Sequence, residues 1–354
     1  MTRASSIILA PLGALYGAIT ETRLTLYRRG LLAVSKLDAP VISIGNITAG
    51  GTGKTPLVEC IARALAAEGR KVCILTRGYG RENPKRRVLV SDGRNLLASE
   101  QEAGDEPRLL AETLRGIAAV VSDADRFAAG RWAIRELGAE VFVLDDGFQH
   151  LRLARDLDVA TIDATDAWGG GQLLPRGQLR ERPGGLARAD CIVITRADQA
   201  DDVDSLKREI ENLSNHRPLF TSRMRARGLR QFGAELSDDG ARTKPDINRK
   251  VAAFCAIGNP HAFIKQLEND GYDPVAVSEF SDHHKYDQRD IDGVVEKARQ
   301  AGAKSLITTA KDAVKLRELS FSLPCYVLDI EICIDEASRF FEMINAAIQP
   351  KHMA

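Results

Sequence analysis

Residues 48–55 have the types and spacing of a phosphate-binding loop. An apolar run, 41–44, precedes them, and Gly-Lys-Thr at 53–55 ends them where a helical pattern begins. The backbone N–H groups of such a loop and the N-terminus of the next helix form an anion site. The motif lysine reaches the β- and γ-phosphates, and the following hydroxyl is a Mg²⁺ ligand. We therefore expect a nucleoside triphosphate to bind at Thr48, Ala49, Gly50, Gly51, Thr52, Gly53, Lys54 and Thr55.

The loop departs from the pattern G-x-x-x-x-G-K-[ST] at one position, because Thr48 stands where the first glycine is required. Gly50, Gly51 and Gly53 still allow the backbone to approach phosphates closely. A glycine-rich turn without a ligand is the alternative interpretation. The strand before the loop and the helix after it favour the phosphate site.

Two adjacent carboxylates, Asp145 and Asp146, end a second apolar strand pattern. Such a strand ends beside the phosphate loop, where an aspartate holds Mg²⁺ directly or through water. A polar turn after a strand would give the same pattern. The upstream Gly-Lys-Thr favours a metal site made of Thr55 and both aspartates, with Gln149 and His150 as polar side chains near the phosphates.

A third acidic pair, Asp105-Glu106, precedes another helical pattern. Helix N-termini often carry such residues only as caps. Phosphoryl transfer to an alcohol, however, needs a carboxylate that takes the hydroxyl proton beside the γ-phosphate. The pattern alone leaves both interpretations open.

The segment 281–286 places two histidines, an aspartate, a lysine and a tyrosine together. The side chains of His283 and His284 diverge because they are adjacent, and no third ligand has the spacing of a metal site. We favour a His–Asp proton relay, which either histidine could serve.

Arginines and a weak base-recognition motif lie between these segments. The loop 173–182 carries Arg176, Arg180 and Arg182, whose guanidinium groups match phosphate geometry. A solvated charged loop is the alternative. Thr-Arg-Ala-Asp at 195–198 follows a strand pattern and weakly resembles the guanine-binding N-K-x-D motif of GTPases.

The composition narrows the class of protein. The chain has 354 residues, enough for about two domains, with 44% hydrophobic and 28% charged residues, as in ordinary globular proteins. Its 49 basic residues balance 49 acidic ones, which argues against a nucleic-acid-binding protein with a basic surface. The six cysteines include no C-x-x-C pair, so we expect neither a disulfide framework nor a zinc site.

An uncharged, mostly apolar stretch, 7–19, lies between Arg3 and Arg23. It is shorter than the roughly 20 apolar residues that a spanning helix needs. Tyr16 and Tyr27, with basic neighbours, suit a helix that lies in a membrane interface. A helix packed on the protein's own body is the alternative.

Strand and helix patterns alternate through 41–195 and again through 251–330, which is typical of parallel sheets covered by helices. We expect a P-loop NTPase-like α/β domain with a parallel sheet and a second, smaller α/β domain. A predicted hairpin, 87–91 with 94–98, interrupts the first. The predicted divisions are an N-terminal membrane-interface helix at 1–35, the P-loop domain at 36–222, a linker or hairpin at 223–249, the smaller domain at 250–330 and a C-terminal helix at 331–354.

Taken together and in this order, the motifs resemble the tetraacyldisaccharide 4′-kinase family, which phosphorylates a membrane glycolipid of lipid A biosynthesis. The likeness covers most of the chain and includes the missing first glycine of the P-loop. It rests on residues 45–56, 77–80, 104–107, 145–150, 162–165, 173–181, 257–260, 282–286 and 308–313.

The resemblance implies ATP with Mg²⁺ as donor and the 4′-hydroxyl of a tetraacylated glucosamine disaccharide 1-phosphate as acceptor. It implies Asp105 as general base with His283 as its partner, Tyr79 stacked near the nucleotide, and a second domain that closes over it. It also implies that the N-terminal helix lies on the cytoplasmic face of the inner membrane. The residues expected at the substrate are Arg77, Glu106, Arg126, Gln149, His150, Arg180 and Glu181.

Departures from the family pattern are confined to substrate detail. Gly170 stands where the family tends to carry asparagine, and 175–178 is more basic than the usual Pro-Ala-Gly-Pro. The alternative function is a nucleotide-switch ATPase or GTPase, whose Lys-Gly-Gly-x-Gly-Lys-Thr motif would place lysine at Ala49. A membrane-associated binding module with an inactive P-loop leaves Asp105, Asp145 and Asp146 without a role.

Overall fold

The computed structural model describes residues 3–233 and 247–349, and within them twelve strands form one sheet. The strands are β1 Val41–Asn46, β2 Val72–Thr76, β3 Val88–Ser91, β4 Ala118–Ser122, β5 Val141–Asp145, β6 Leu157–Asp163, β7 Cys191–Thr195, β8 Leu219–Gln231, β9 Lys250–Cys255, β10 Asp273–Glu279, β11 Leu306–Thr309 and β12 Cys325–Ile334. The helices are α1 Arg3–Arg28, α2 Lys54–Ala67, α3 Glu100–Ala103, α4 Asp105–Thr113, α5 Arg126–Leu137, α6 Val203–Leu213, α7 Pro260–Asn269, α8 Gln288–Gln300, α9 Ala310–Ala313 and α10 Ala337–Ile348.

The strand order is β10-β9-β11-β12-β8-β7-β6-β1-β5-β2-β4-β3. Neighbouring strands are parallel except for β3 with β4 and β8 with β12. β1 lies between β6 and β5 in this order, and the phosphate loop follows the carboxyl end of β1. The P-loop-like α/β fold predicted from the sequence is therefore confirmed.

Two apolar layers cover the two faces of the sheet around β1. On one face Ile42 and Ile44 of β1 pack with Leu57 and Ile61 of α2. On the other face Val41 belongs to the layer that covers α5. Because both faces are buried, these strands appear in the sequence as continuous apolar runs.

The long strand β8 corrects the predicted linker, since residues 223–231 are strand and not connection. Met224 is buried while Arg223, Arg225 and Arg227 are exposed, which is the period-two pattern of a strand. The repeated arginines made this stretch look irregular. β8 pairs with β7 at its start and with β12 beyond it, so a single strand joins the two predicted α/β regions. Residues 234–246 of the predicted linker lie outside the described residues.

Two other boundaries also differ from the prediction. In the expected hairpin, the turn at Asp92 forms, but β3 pairs with β4 and residues 94–98 contribute only the single bridge Ser91–Leu96. β12 continues to Ile334, so strand extends into the segment predicted as the C-terminal helix. The helix α10 packs on the first part of the sheet, where Phe340 is buried against Phe220.

The helix α1 presents two different faces. Gly13 and Gly17 face the loop that contains Leu173. The opposite side exposes Leu12, Leu15 and Ile19, which are 50%, 59% and 59% accessible. Among the residues that the structure describes, no helix combines the length and apolar character needed to cross a membrane.

Candidate active site

The phosphate loop holds its lysine by two polar contacts. Gly53 is the N-cap of α2 with φ 75°, a left-handed backbone conformation that favours glycine. Lys54 Nζ donates a hydrogen bond to Asn46 Oδ1 at 3.1 Å and lies 3.5 Å from Asp146 Oδ1. The ammonium group is thereby fixed at the start of α2, a position that suits phosphate binding.

Thr48 has a structural reason to replace the first glycine. Its side chain is buried and accepts a hydrogen bond from Asn46 Nδ2 at 3.3 Å. Its backbone forms an antiparallel bridge with Leu179, and the N–H of Ala49 donates to the Gln178 carbonyl. The arginine-rich loop is therefore attached directly to the beginning of the phosphate loop.

Asp145 and Asp146 at the end of β5 have environments that move their pKa values apart. Burial raises the pKa of Asp145 to about 7, and the charges of Glu106 and Asp146 add to this. Burial alone would also raise the pKa of Asp146, but Lys54 and Arg180 outweigh it and lower that pKa to about 2. One carboxylate is thus firmly charged at neutral pH.

These residues fit a Mg²⁺ ion that is shared with a nucleotide. Mg²⁺ prefers hard oxygen ligands and keeps several waters and phosphate oxygens around a few protein groups. Thr55, Asp145 and Asp146 supply such oxygens. Over residues 3–233 and 247–349, no cluster of three or more His, Cys, Asp or Glu side chains forms a metal cage of its own. The donor set therefore suits an ion bound together with phosphates.

Asp105 forms a hydrogen bond with His283, which comes from the distant second part of the chain. The Asp105 Oδ2 and His283 Nδ1 atoms are 2.8 Å apart, and Asp105 is 6% exposed. Burial would raise the pKa of Asp105, but the bond from His283 and the charge of Lys311 lower it below its usual value. The same bond raises the pKa of His283 above its usual range. The carboxylate is therefore ionised, buried and coupled to a half-exposed imidazole.

Lys311 was absent from the residues predicted for the site. Its Nζ lies 3.1 Å from Glu106 Oε1, 3.2 Å from Asp282 Oδ1 and 4.0 Å from Asp105 Oδ2. Burial would lower its pKa, but these three carboxylates raise it above the ordinary lysine value. Lys311 lies in the motif 308–313, but its contacts depend on how the two regions of the chain meet, so the motif alone does not give it a role.

The other histidine of the cluster has a structural environment. His284 Nε2 lies 2.8 Å from Asp290 Oδ2, and its ring stacks on Phe280 with 4.8 Å between centroids. Of the two histidines, His283 is the one that reaches Asp105.

Cationic groups lie near Asp146 and His150, away from the Asp105–His283 pair. Arg180 Nη1 donates to both carboxylate oxygens of Asp146 at 2.7 and 2.8 Å. Burial and the neighbouring charge of Arg77 lower the pKa of Arg126 to about 10. Burial, together with Arg126 and Arg155, lowers the pKa of His150 to about 3, so this imidazole is neutral. The neighbouring guanidinium groups of Arg77 and Arg126 suit a phosphate-bearing ligand.

Gln149 and Glu181 support this region. Gln149 Nε2 donates to the Asn46 carbonyl and to Glu181 Oε1, both at 2.7 Å. Glu181 is buried and also accepts hydrogen bonds from Arg188. The glutamate therefore orients its neighbours and is not itself open to a ligand.

Tyr79 lies on the Asp105 side of the site. Its ring centroid is 5.4 Å from that of His283, and it lines a cavity with Asp105 and Lys285. The cleft beside the phosphate loop has a different lining, which includes Lys54, Arg196 and Phe263. The structure therefore places Tyr79 next to the candidate base, whereas the resemblance implied stacking near the nucleotide.

The second α/β region, predicted at 250–330, contacts the phosphate loop and forms one wall of its cleft. A Cβ on Gly258 would lie 2.7 Å from the backbone nitrogen of Gly51, so the two backbones are in close contact. Asn259 Nδ2 donates to Asp163 Oδ2 at 2.9 Å and to Thr165 Oγ1 at 3.0 Å. Lys311 of this second region lines the same cleft as Lys54.

Comparison with known proteins gives a consistent set of relatives. A family model described as tetraacyldisaccharide-1-P 4′-kinase matches residues 5–349. The tetraacyldisaccharide 4′-kinase of Desulfotalea psychrophila is 38% identical over 318 residues, which cover 89% of each chain. That of Geobacter metallireducens is 41% identical over 311 residues, covering 87% of this chain and 88% of the relative.

A solved structure is similar over nearly the whole chain. The crystal structure of the "apo" form of LpxK from Aquifex aeolicus in complex with ATP has a TM-score of 0.75 at 32% identity. The match covers 97% of this chain and 99% of that one.

Proposed function

The chain belongs to the tetraacyldisaccharide-1-phosphate 4′-kinase family, and on that premise we propose how its own residues perform the reaction. The enzyme transfers the γ-phosphoryl group of ATP, in the presence of Mg²⁺, to the 4′-hydroxyl of tetraacyldisaccharide 1-phosphate. The observation that carries the assignment of residues is the buried Asp105–His283 pair, whose neighbours Glu106 and Lys311 line the cleft of the phosphate loop. A nucleotide switch protein needs no such base.

On the donor side, Lys54 and the N–H groups of the loop bind the β- and γ-phosphates. Asn46 and Asp146 hold the lysine in position, so little reorganisation is required when charge develops in the transition state. Thr55, Asp145 and Asp146 would hold Mg²⁺, which would supply positive charge to the phosphate oxygens.

On the acceptor side, Asp105 takes the proton of the 4′-hydroxyl as the oxygen attacks the γ-phosphorus, while the bond from that phosphorus to the β,γ-bridging oxygen breaks and ADP leaves. Its lowered pKa keeps it ionised at neutral pH, and its burial strengthens the interaction with the hydroxyl. The neutral, half-exposed imidazole of His283 then accepts this proton from Asp105 and passes it to solvent.

The positive region near His150 binds the anionic acceptor. Arg77, Arg126 and Arg180 supply charge, and the neutral His150 and Gln149 supply hydrogen bonds. Arg23 of α1 donates to the Gln149 carbonyl at 3.2 Å, which places the helix against this region.

The exposed face of α1 contacts the membrane that contains the glycolipid. Leu12, Leu15 and Ile19 are apolar and accessible, and the basic residues Arg28 and Arg29 follow at the helix end. This combination suits a helix lying in the interface of an anionic bilayer. We place the enzyme at the cytoplasmic face of the inner membrane, as a peripheral protein.

The second α/β region, 250–334, acts as a smaller unit that completes the site. It supplies His283 and Lys311, while the P-loop region supplies Asp105 and Lys54. Movement of this unit would admit and release the nucleotide.

The proposal is tested by incubating the protein with γ-³²P-labelled ATP and tetraacyldisaccharide 1-phosphate in detergent micelles, with and without Mg²⁺. A Mg²⁺-dependent labelled lipid with phosphate at the 4′ position is expected, and Lys54→Ala should lower its formation by about 10²–10³-fold. Hydrolysis of ATP without labelled lipid would contradict the proposal and indicate a switch ATPase.

A further inference from the structure

The segment that follows β7 is attached to the phosphate loop by two hydrogen bonds. Thr195 Oγ1 donates to the Thr52 carbonyl at 3.0 Å, and Arg196 Nη1 donates to the Gly51 carbonyl, also at 3.0 Å. The turn Ala197–Gln199 comes next, and the Gln199 carbonyl accepts a hydrogen bond from Lys265 of α7 at 3.2 Å. Gln199 is therefore held between the phosphate loop and the second α/β region, along the nucleotide cleft.

The side chain of Gln199 is buried without a partner. The residue is 6% exposed and lines the cleft that contains Lys54. Neither its Oε1 nor its Nε2 atom has a hydrogen-bond partner among the described residues. A buried unpaired amide destabilises a folded protein, so its presence requires an explanation.

The surroundings of Gln199 suit a flat heteroaromatic ring. Met224, Ile257 and Phe263 contribute apolar walls to the same cleft. An amide offers one donor and one acceptor side by side, which matches the 6-amino group and an adjacent ring nitrogen of adenine. We propose that Gln199 recognises the adenine base of ATP through this pair of hydrogen bonds.

The residue proposed here to recognise the base, Gln199, differs from the one that the weak N-K-x-D likeness at 195–198 indicates. That likeness would assign base recognition to Asp198, which is exposed in the structure. The next residue, Gln199, is buried and lines the cleft. The inference uses the proposed function only in taking ATP as the donor, and nucleotide binding can be measured without the lipid.

The test compares ATP with purine riboside triphosphate, which lacks the 6-amino group. Dissociation constants for both are measured by calorimetry on wild type, Gln199→Leu and Gln199→Met. Wild type should bind ATP about tenfold more tightly than the analogue. In both variants the dissociation constant for ATP should rise about tenfold, and that for the analogue should change little. Equal losses for the two nucleotides would overturn the proposal, because they would indicate altered packing alone.

Two further readouts separate recognition from a structural role. The nucleotide-free variants should have a melting temperature equal to or above that of wild type, since an unpaired amide is removed. Their KM for ATP should rise while kcat at saturating ATP stays near wild type. A lowered melting temperature with unchanged nucleotide preference would contradict the proposal.

Asp198→Asn is the matched control and should bind both nucleotides like wild type. A wild-type protein that phosphorylates the lipid but binds ATP and the analogue equally would refute the role of Gln199 and leave the kinase function intact. Absence of lipid phosphorylation together with the expected nucleotide preference would refute only the kinase function.

Discussion

The Nδ1 atom of His283 lies 2.8 Å from Oδ2 of Asp105, although 178 residues separate them in the sequence. Asp105 begins α4 in the P-loop region, and His283 follows β10 in the second α/β region. The pair exists only when both regions are folded and in contact. Formation of this pair is therefore linked to the contact between the two regions.

The pH dependence of the rate should report His283. Its pKa is raised by Asp105, and the protonated imidazole makes that carboxylate a weaker base. In wild type kcat should therefore increase with pH through an inflection above pH 6.5. In His283→Asn the inflection should be absent and kcat about tenfold or more lower. His284→Asn, which removes the contact with Asp290, should keep the inflection of the wild-type profile. An unchanged inflection in His283→Asn would assign it to another group.

Lys311 should matter for turnover without being essential for folding. Lys311→Met removes the positive charge shared by Glu106, Asp105 and Asp282, so the pKa of Asp105 should rise and the carboxylates should repel one another. We expect kcat to fall by about tenfold or more, with the acid limb of the pH profile moved upward. Lys297→Met, on the exposed face of α8, serves as the control. Equal activity of the two variants would show that Lys311 has no part in the reaction.

The apolar face of α1 should determine membrane association. Replacing Leu12, Leu15 and Ile19 together by asparagine removes the exposed apolar surface and leaves the packed face unchanged. Flotation with vesicles that contain anionic phospholipid should recover wild type with the membrane and the triple variant mostly in the aqueous fraction. Leu97→Asn, at another exposed leucine, should float like wild type. Flotation of the triple variant would place the membrane contact elsewhere.

The C-terminal helix α10 should contribute to the stability of the P-loop region. Phe340 is fully buried and its ring lies 5.2 Å from that of Phe220, so Phe340→Ala should cost about 3–5 kcal/mol of unfolding free energy. Urea denaturation measures the loss. Phe341→Ala, at a partly exposed neighbour, should cost less than half as much. A loss below about 1 kcal/mol at Phe340 would mean that α10 is not packed as described.

Local patterns were sufficient for most of the fold. The apolar runs of β1 and β5 and the Gly-Lys-Thr of the phosphate loop appear directly in the sequence. The sequence predicts a linker where β8 lies, because three arginines alternate with small and apolar residues over 223–227 and make the stretch polar on average. Such a strand is recognisable only once its partner β12 is known.

The site was less predictable than the fold. Asp105, His283 and Lys54 could be selected by residue type and by resemblance to a family. Lys311 belongs to the motif 308–313, but its role could not be assigned, because its carboxylate partners Glu106 and Asp282 come from two distant segments of the chain. The role of Gln199 could not be assigned either, since burial without a partner is a property of the folded chain alone.

The most direct test of the proposed mechanism is the single-turnover rate of phosphoryl transfer to the lipid by Asp105→Asn, measured together with its dissociation constant for ATP. The side chain keeps its size but loses its basicity. We predict a rate at least about 10²-fold below wild type with ATP affinity within about threefold. A rate close to that of wild type would contradict the assignment of Asp105 as the base that receives the 4′-hydroxyl proton.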